Sequence, residues 1–172
     1  MSKICTVNWN DFKLVDVFKI KKTKNINSDD LIPGKINYVT RTAENNGVEK
    51  FVDDDRMILN SGNCITIGGE SAKAFYQDKP FLTGNNITTI AHKNMNKYIG
   101  IFICTILNLE SYRYSYGRAW NKNNVEQTII KLPSKNGNPD WEYMQDFIKE
   151  NYIYILNHFT QRELKRHSVI LK

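Results

Sequence analysis

The chain has 172 residues, of which 41% are hydrophobic and 12% aromatic, as expected of one globular domain that removes about two-thirds of its unfolded surface from water. Twenty-four Lys and Arg against eighteen Asp and Glu give a net charge of +6 and a pI near 9.1, which admits a polyanionic partner without requiring one. Cys5, Cys64 and Cys104 are too few and too widely spaced for a disulfide framework or a paired-cysteine metal site, and MSKICTVNW lacks the apolar core of a signal peptide, so the expected setting is the reducing cytoplasm with no membrane segment.

Trp9 to Ile20 carries Trp9, Phe12 and Phe18 near helical spacing and reads as a short helix or an edge segment docked on a sheet. Lys21 to Asp30 is polar and turn-rich, a solvated loop. With Lys19 before it, Lys21, Lys22 and Lys24 suit either a phosphate backbone or a plain basic surface. Ile36 to Val52 holds two β-prone runs around Asn45-Asn46-Gly47, and Asn-Gly supplies the positive φ angles of a tight reversal, so a hairpin is expected. Asp53-Asp54-Asp55 after it reads as a solvated turn, since consecutive strand carboxylates point to opposite faces. Asn63–Gly69, Ala74–Gln77 and Phe81–Ile90 form a second β-rich block, punctuated by Gly62, Gly68, Gly69, Pro80 and Gly84.

Between Asn94 and Leu109 the apolar content and length indicate a largely buried helix, its β-branched residues leaving a buried strand open. Glu110 to Asn124 interleaves Tyr112, Tyr114, Tyr116 and Trp120 with Arg113, Arg118 and Lys122 around Gly117. Aromatic faces beside guanidinium groups serve nucleic acids and also packed surfaces. Val125 to Leu132 reads as a strand ended by Pro133. Asn138-Pro139-Asp140 then opens a helix, with Asn138 as cap and Pro139 in the first turn. Along it Trp141, Met144, Ile148, Tyr152, Ile155 and Phe159 make one apolar stripe, which faces either a partner or the domain itself.

Catalytic signatures are missing. The chain has no P-loop, dinucleotide fingerprint, HExxH or nucleophile elbow. His92, His158 and His167 are scattered without zinc spacing. Asp11-Phe12-Lys13 and Glu163-Leu164-Lys165 match the short carboxylate-x-lysine element of nucleases, but the first has no upstream acid and the second is expected near the end of a helix. No cofactor is expected.

The ordered motifs IPGKINYVTRTAENNGVEKFV, GNCITIGG, AFYQ, FLTGNNI, YSYGRA, IIKLP and GNPDWEYMQDFIK resemble a target recognition domain of restriction-modification specificity subunits. The likeness covers about Trp9 to Lys149 and is greatest to the BcgI-like, type IIB group, with a more distant similarity to type I subunits. It implies a mixed α/β (α+β) fold: a twisted, partly barrel-like β-sheet with flanking helices and a C-terminal helix. Residues 1–137 would form the recognition domain, and 138–172 a spacer or dimerisation helix packed on it. The implied role is non-catalytic reading of double-stranded DNA for a methyltransferase or a fused methyltransferase-nuclease subunit, with a homodimer through the C-terminal helix as a further expectation, because specificity subunits of this kind carry two recognition domains and two spacer helices.

For such a role Arg41, Asn45, Asn46, Gln77, Arg118 and Asn121 are the candidates for contacts at or near bases, and Lys73, Tyr76, Lys79, Tyr114, Tyr116 and Lys122 for holding the backbone. Two readings from other classes stay open: a protein-interaction module that regulates a methyltransferase through the 141–159 stripe, and a metal-dependent nuclease.

Overall fold

The computed structural model describes residues 6, 8–53 and 59–154. Asp54, Asp55, Ile155, Phe159, His158, His167 and the Glu163-Leu164-Lys165 triplet lie outside the described residues.

Ten strands form three small sheets, and no closed barrel is present among the described residues. The largest sheet has the order β2 (Lys19–Lys22), β8 (Ile87–Ala91), β5 (Cys64–Gly68), β6 (Ala74–Gln77) and is antiparallel throughout. All five residues of β5 are buried, as in a strand covered on both faces. Ile65, Ile67 and Ile90 belong to the main core, against Ile99, Phe102, Ile103 and Leu107 of helix α2 (Lys97–Leu109). That helix is the one expected from the apolar run. Asn96 caps it, its side-chain oxygen accepting from the N–H groups of Tyr98 at 3.0 Å and Ile99 at 3.2 Å.

Close approach of α2 to β6 depends on Gly100. A Cβ there would strike the ring of Tyr76. Gly100→Ala gains up to about 1 kcal/mol of helix propensity and meets about 1–3 kcal/mol of overpacking. The expected outcome is a net loss of stability, read as a lowered midpoint in urea; an unchanged or raised midpoint would show that the Tyr76 ring moves aside freely.

A second sheet has the order β4 (Val48–Asp53), β3 (Ile32–Val39), β7 (Leu82–Thr83), with β3 and β4 antiparallel and β3 and β7 parallel. The expected hairpin is present. Asn45, Asn46 and Gly47 take φ of 48°, 57° and 75°, and the N–H of Thr40 donates to the Gly47 carbonyl at 2.9 Å.

The third sheet departs from expectation. Trp9 to Ile20 is a strand, β1 (Trp9–Lys13), a single turn, α1 (Leu14–Val17), and the start of β2, which also takes in Lys21 and Lys22. Val125 lies in a short helix, α3 (Lys122–Gln127), and the strand after it, β9 (Ile129–Lys135), runs straight through Pro133. Pro133 is tolerated because its neighbour Ser134 donates towards β1, to the Asn8 carbonyl at 2.9 Å, so the missing N–H faces away from that ladder. Beyond it Asn136 and Gly137, with φ of 54° and 77°, turn the chain into β10 (Asn138–Pro139), which pairs with Lys135 and Ser134.

Asn138 and Pro139 are therefore in a hairpin and do not open the last helix, 141–154 (α4). Its cap is Asp140, whose carboxylate accepts from the N–H of Tyr143 at 3.0 Å. The first half of the α4 stripe is used within the domain. Met144 is fully buried in the main core, and Trp141, Phe147 and Ile148 pack against the same cluster. Tyr152, Ile153 and Tyr154 are exposed.

Candidate functional site

Gly69, just after β5, is the meeting point of several loops. Its N–H donates to the Asn86 carbonyl at 2.9 Å, and its carbonyl accepts from the N–H of Trp120 at 2.6 Å. Next to it, the Cα of Arg41 stands 3.4 Å from where a Cβ on Gly68 would be. On the remaining side Asn25 forms a bridge to Thr83 and donates from its side chain to Asn85 Oδ1 at 2.6 Å. Loops from five places in the chain thus bring Asn25, Arg41, Glu70, Asn85, Asn86 and Asn121 to one face.

Three cavities adjoin one another here through shared lining residues. The central one, about 390 Å3, is lined by Lys22, Asn25, Asn85, Asn86, Asn121 and Lys122, among others. Lys22 also lines a second cavity of about 390 Å3, with Lys19, Lys21, Lys24, Asn60 and Ser61. Asn85 also lines a third, about 250 Å3, which reaches Thr40 and Arg41. Among the described residues no carboxylate lines the first two cavities. The band therefore runs from a lysine-rich end, through an asparagine-rich middle, to an arginine, and offers mostly hydrogen-bond donors and positive charge.

The structure places ten of the twelve sequence candidates in two groups, with Tyr114 and Tyr116 apart from both in the aromatic loop. Arg41, Asn121 and Lys122 belong to the band, and Arg118 lies in the turn just before it, bridged to Ser115. Arg41 pairs with Glu70 at 2.5 Å, and Lys122 pairs with Glu126 one helical turn on. Asn121 caps α3, its side-chain oxygen accepting from the N–H of Asn124 at 3.0 Å, so only its amide nitrogen is left to turn outward.

The second group holds the β3–β4 turn against β6. Asn46 donates to the Tyr76 carbonyl at 3.0 Å, and Gln77 donates to the Asn46 carbonyl at 2.9 Å and to Thr66 Oγ1 at 3.3 Å. Gln77 is only 2% exposed, a position that fixes the turn and leaves no edge for a base. The Tyr76 hydroxyl, raised above its usual range by burial and then by Asp78 and Cys64, donates to Asn63 Oδ1 at 2.9 Å. Lys73 reaches Ser111 Oγ at 3.4 Å. Asn45 and Lys79 are exposed.

The aromatic loop is likewise divided. Tyr116 is 92% exposed at the tip beside Gly117. Trp120 is fully buried, stacked on Tyr114 at 4.7 Å, and its indole N–H donates to Thr128 Oγ1 at 3.0 Å. The Tyr114 hydroxyl shares the same threonine at 3.1 Å. Tyr114 and Trp120 therefore anchor the loop, while Tyr116 presents an open ring.

Sequence reasoning missed Asn25, Glu70, Asn85 and Asn86 in the band. The available signal was the Gly84-Asn85-Asn86 turn, where Asn86 takes a φ of 60°. Thiol chemistry is unsupported, since burial pushes Cys64 up to about 12 and raises Cys104 as well. His92 is stacked on Trp141 at 4.3 Å, and burial followed by the nearby Lys93 lowers it, so it is a packing histidine. Among the described residues no three His, Cys, Asp or Glu side chains gather to hold a metal ion, and no helix is long and apolar enough to cross a membrane.

In fold the chain is similar to solved specificity subunits. Against the S subunit of a type I restriction-modification system from M. genitalium the TM-score is 0.63 at 14% identity, over 95% of this chain and 44% of that one. Against the HsdS subunit from Thermoanaerobacter tengcongensis it is 0.59 at 9% identity, over 90% and 40%. The model of the type I restriction-modification DNA specificity domain matches residues 6–161, and the chain belongs to that family. A curated relative, the type II restriction enzyme BcgI specificity subunit of Heyndrickxia coagulans, is 25% identical over 162 residues, 91% of this chain and 47% of the relative. The chain thus spans about half the length of that relative.

Proposed function

We propose that the chain reads part of a double-stranded DNA site for a restriction-modification system, without chemistry of its own, and presents the DNA to a methyltransferase or fused methyltransferase-nuclease subunit. The observation that carries this reading is the family match over residues 6–161, in a domain whose convergent loops gather Arg, Asn and Lys along one band. Guanine offers O6 and N7 to Arg, and adenine offers N6 and N7 to Asn, while Lys holds phosphates. Residues 1–137 supply that recognition surface. The exposed part of α4 at Tyr152, Ile153 and Tyr154 is the surface for the partner subunit or for a second copy, whose two-fold symmetry would demand a symmetric, interrupted site.

Selection of bound duplexes from a randomised library at about 0.15 M salt tests the reading, because non-specific phosphate binding is suppressed there. A short enriched motif is expected. No enrichment, with or without a methyltransferase subunit, would overturn it in favour of a protein-interaction module. On the enriched duplex, Arg118→Ala is expected to lose about 1–3 kcal/mol and to relax one guanine position, whereas Lys122→Ala should weaken all sequences alike and reduce the salt slope by about one. Equal loss on every sequence for Arg118→Ala would remove it from base reading.

A further inference from the structure

Two of the side chains in the band share one oxygen. Glu70 Oε1 lies 2.5 Å from Arg41 Nη1 and accepts a long hydrogen bond from Asn86 Nδ2 at 3.5 Å. Arg41 and Asn86 are thus tied to each other through a carboxylate, although 45 positions of sequence separate them. The side chains of Arg41 and Glu70 are 41% and 36% exposed, so the assembly stands at the surface with solvent on one side. Beneath it the backbone is fixed by the Gly69 N–H to the Asn86 carbonyl and by the positive φ of Asn86.

Arg41 Nη1 and Asn86 Nδ2 stand at most about 6 Å apart, given their 2.5 and 3.5 Å distances to one oxygen, the atoms left for bases are their immediate neighbours in the same planar groups, and stacked base pairs repeat every 3.4 Å or so. They therefore address one base pair or two neighbouring ones. The bond to Glu70 engages Nη1 of Arg41 and leaves Nε and Nη2 as a fork for guanine O6 and N7. Asn86 has its carbonyl oxygen and one amide hydrogen left, the acceptor and donor that match adenine N6 and N7.

Resting on the DNA-reading function proposed above, we infer that Arg41 and Asn86 form a two-residue reading unit for a guanine and an adenine in adjacent base pairs. Glu70 is its positioning residue: it holds both side chains at the spacing of the stack before DNA arrives. The carboxylate also offsets the charge of Arg41, so a duplex that does not engage Arg41 and Asn86 gains little from its phosphates at this point. Glu70 thereby lowers affinity for wrong sequences more than for the right one.

The test compares the wild-type chain with Asn86→Gly and Glu70→Gln in the randomised-duplex selection, followed by binding titrations on the winning duplex and on an unrelated one. Glycine is chosen because it keeps the φ of 60° and the main-chain bond to Gly69. The wild-type motif is expected to contain neighbouring G·C and A·T pairs. Asn86→Gly should relax the adenine column alone and weaken the winning duplex about five- to hundredfold, leaving the unrelated duplex unchanged. Glu70→Gln should tighten binding to the unrelated duplex by severalfold, narrow the ratio between the two duplexes and blur the guanine and adenine columns together, whereas loss of a surface negative charge alone would tighten both duplexes alike and leave the columns unchanged.

A wild-type motif with no column altered by Asn86→Gly, or a ratio unchanged by Glu70→Gln, would overturn this inference and leave the DNA-reading function standing. Absence of any wild-type motif would overturn both. Thermal melts of the variants separate a folding defect from a reading defect. Should Asn86→Gly melt early, Asn86→Asp provides the second variant: it keeps a left-handed-tolerant side chain, removes the donor, and is expected to lose the same column.

Discussion

Replacing Trp120 with alanine is expected to destabilise the domain by about 3–5 kcal/mol, the range for emptying a large buried aromatic site. The side chain is fully buried, stacks on Tyr114 at 4.7 Å and donates to Thr128 Oγ1. That hydroxyl in turn donates to the Asn124 carbonyl at 2.8 Å, so truncation strips a partner from a chain of bonds that closes α3 as well as opening a cavity. Against a total stability of about 5–15 kcal/mol the loss is large, and for a chain of this size it corresponds to a fall in Tm of roughly 6–20 °C. Trp120→Phe retains most of the ring and loses the N–H, so its cost should be well below that of alanine. Thermal unfolding of the two variants decides the matter. A loss under about 1 kcal/mol for Trp120→Ala would mean that the loop from 110 to 121 stays docked without its anchor, and would reopen the assignment of this tryptophan to a nucleic-acid surface.

The second large effect concerns salt. Lys19, Lys21, Lys22 and Lys24 line one end of the band and Lys122 its middle. If these five neutralise phosphates, the logarithm of the binding constant should fall with the logarithm of salt concentration at a slope of about −4 to −5. Between 50 and 200 mM salt the affinity would then drop on the order of 10² to 10³-fold. Anisotropy titrations of a labelled duplex over that range provide the measurement. The double variant Lys19→Gln, Lys21→Gln should flatten the slope by about two, because both residues lie on one edge strand, two positions apart, and so on the same face of it. A wild-type slope near −1 would move the phosphate track off β2.

What could be read in the sequence was local. Asn45-Asn46-Gly47 announced its turn through residues that tolerate positive φ, and Lys97–Leu109 announced its burial through a run of apolar residues of helix length. The mixed α/β class and the family followed from the order of such motifs. Two local signals were present and misread. Asn136-Gly137 is as good a reversal as Asn46-Gly47, yet the short strand beyond it was assigned to the helix; and Asn121 caps α3, where the β-branched residues Thr128, Ile129 and Ile130 suggested a strand that began too early.

The candidate site was harder, for a physical reason. A polar side chain on a β-prone run looks the same in sequence whether it faces water or a neighbouring loop, and Gln77 and Tyr114 proved to be buried or packed by partners far away in the chain. Conversely Asn25, Asn85 and Asn86 sit in turns, and only hydrogen bonds between residues far apart in the chain bring them to the face that carries Arg41.

The bonds at Gly69 also bear on how such a surface can change. Both run from main chain to main chain, so the junction is held by atoms that every residue type except proline possesses, although a side chain at position 69 would crowd the Asn86 carbonyl at 3.1 Å. Exchanging the side chain at position 85 leaves those bonds in place, whereas position 86 is confined by its φ of 60° to the few residues that accept it. On the DNA-reading role proposed above, the scaffold would separate foldability from specificity at this face, with the junction itself as the part that must not drift.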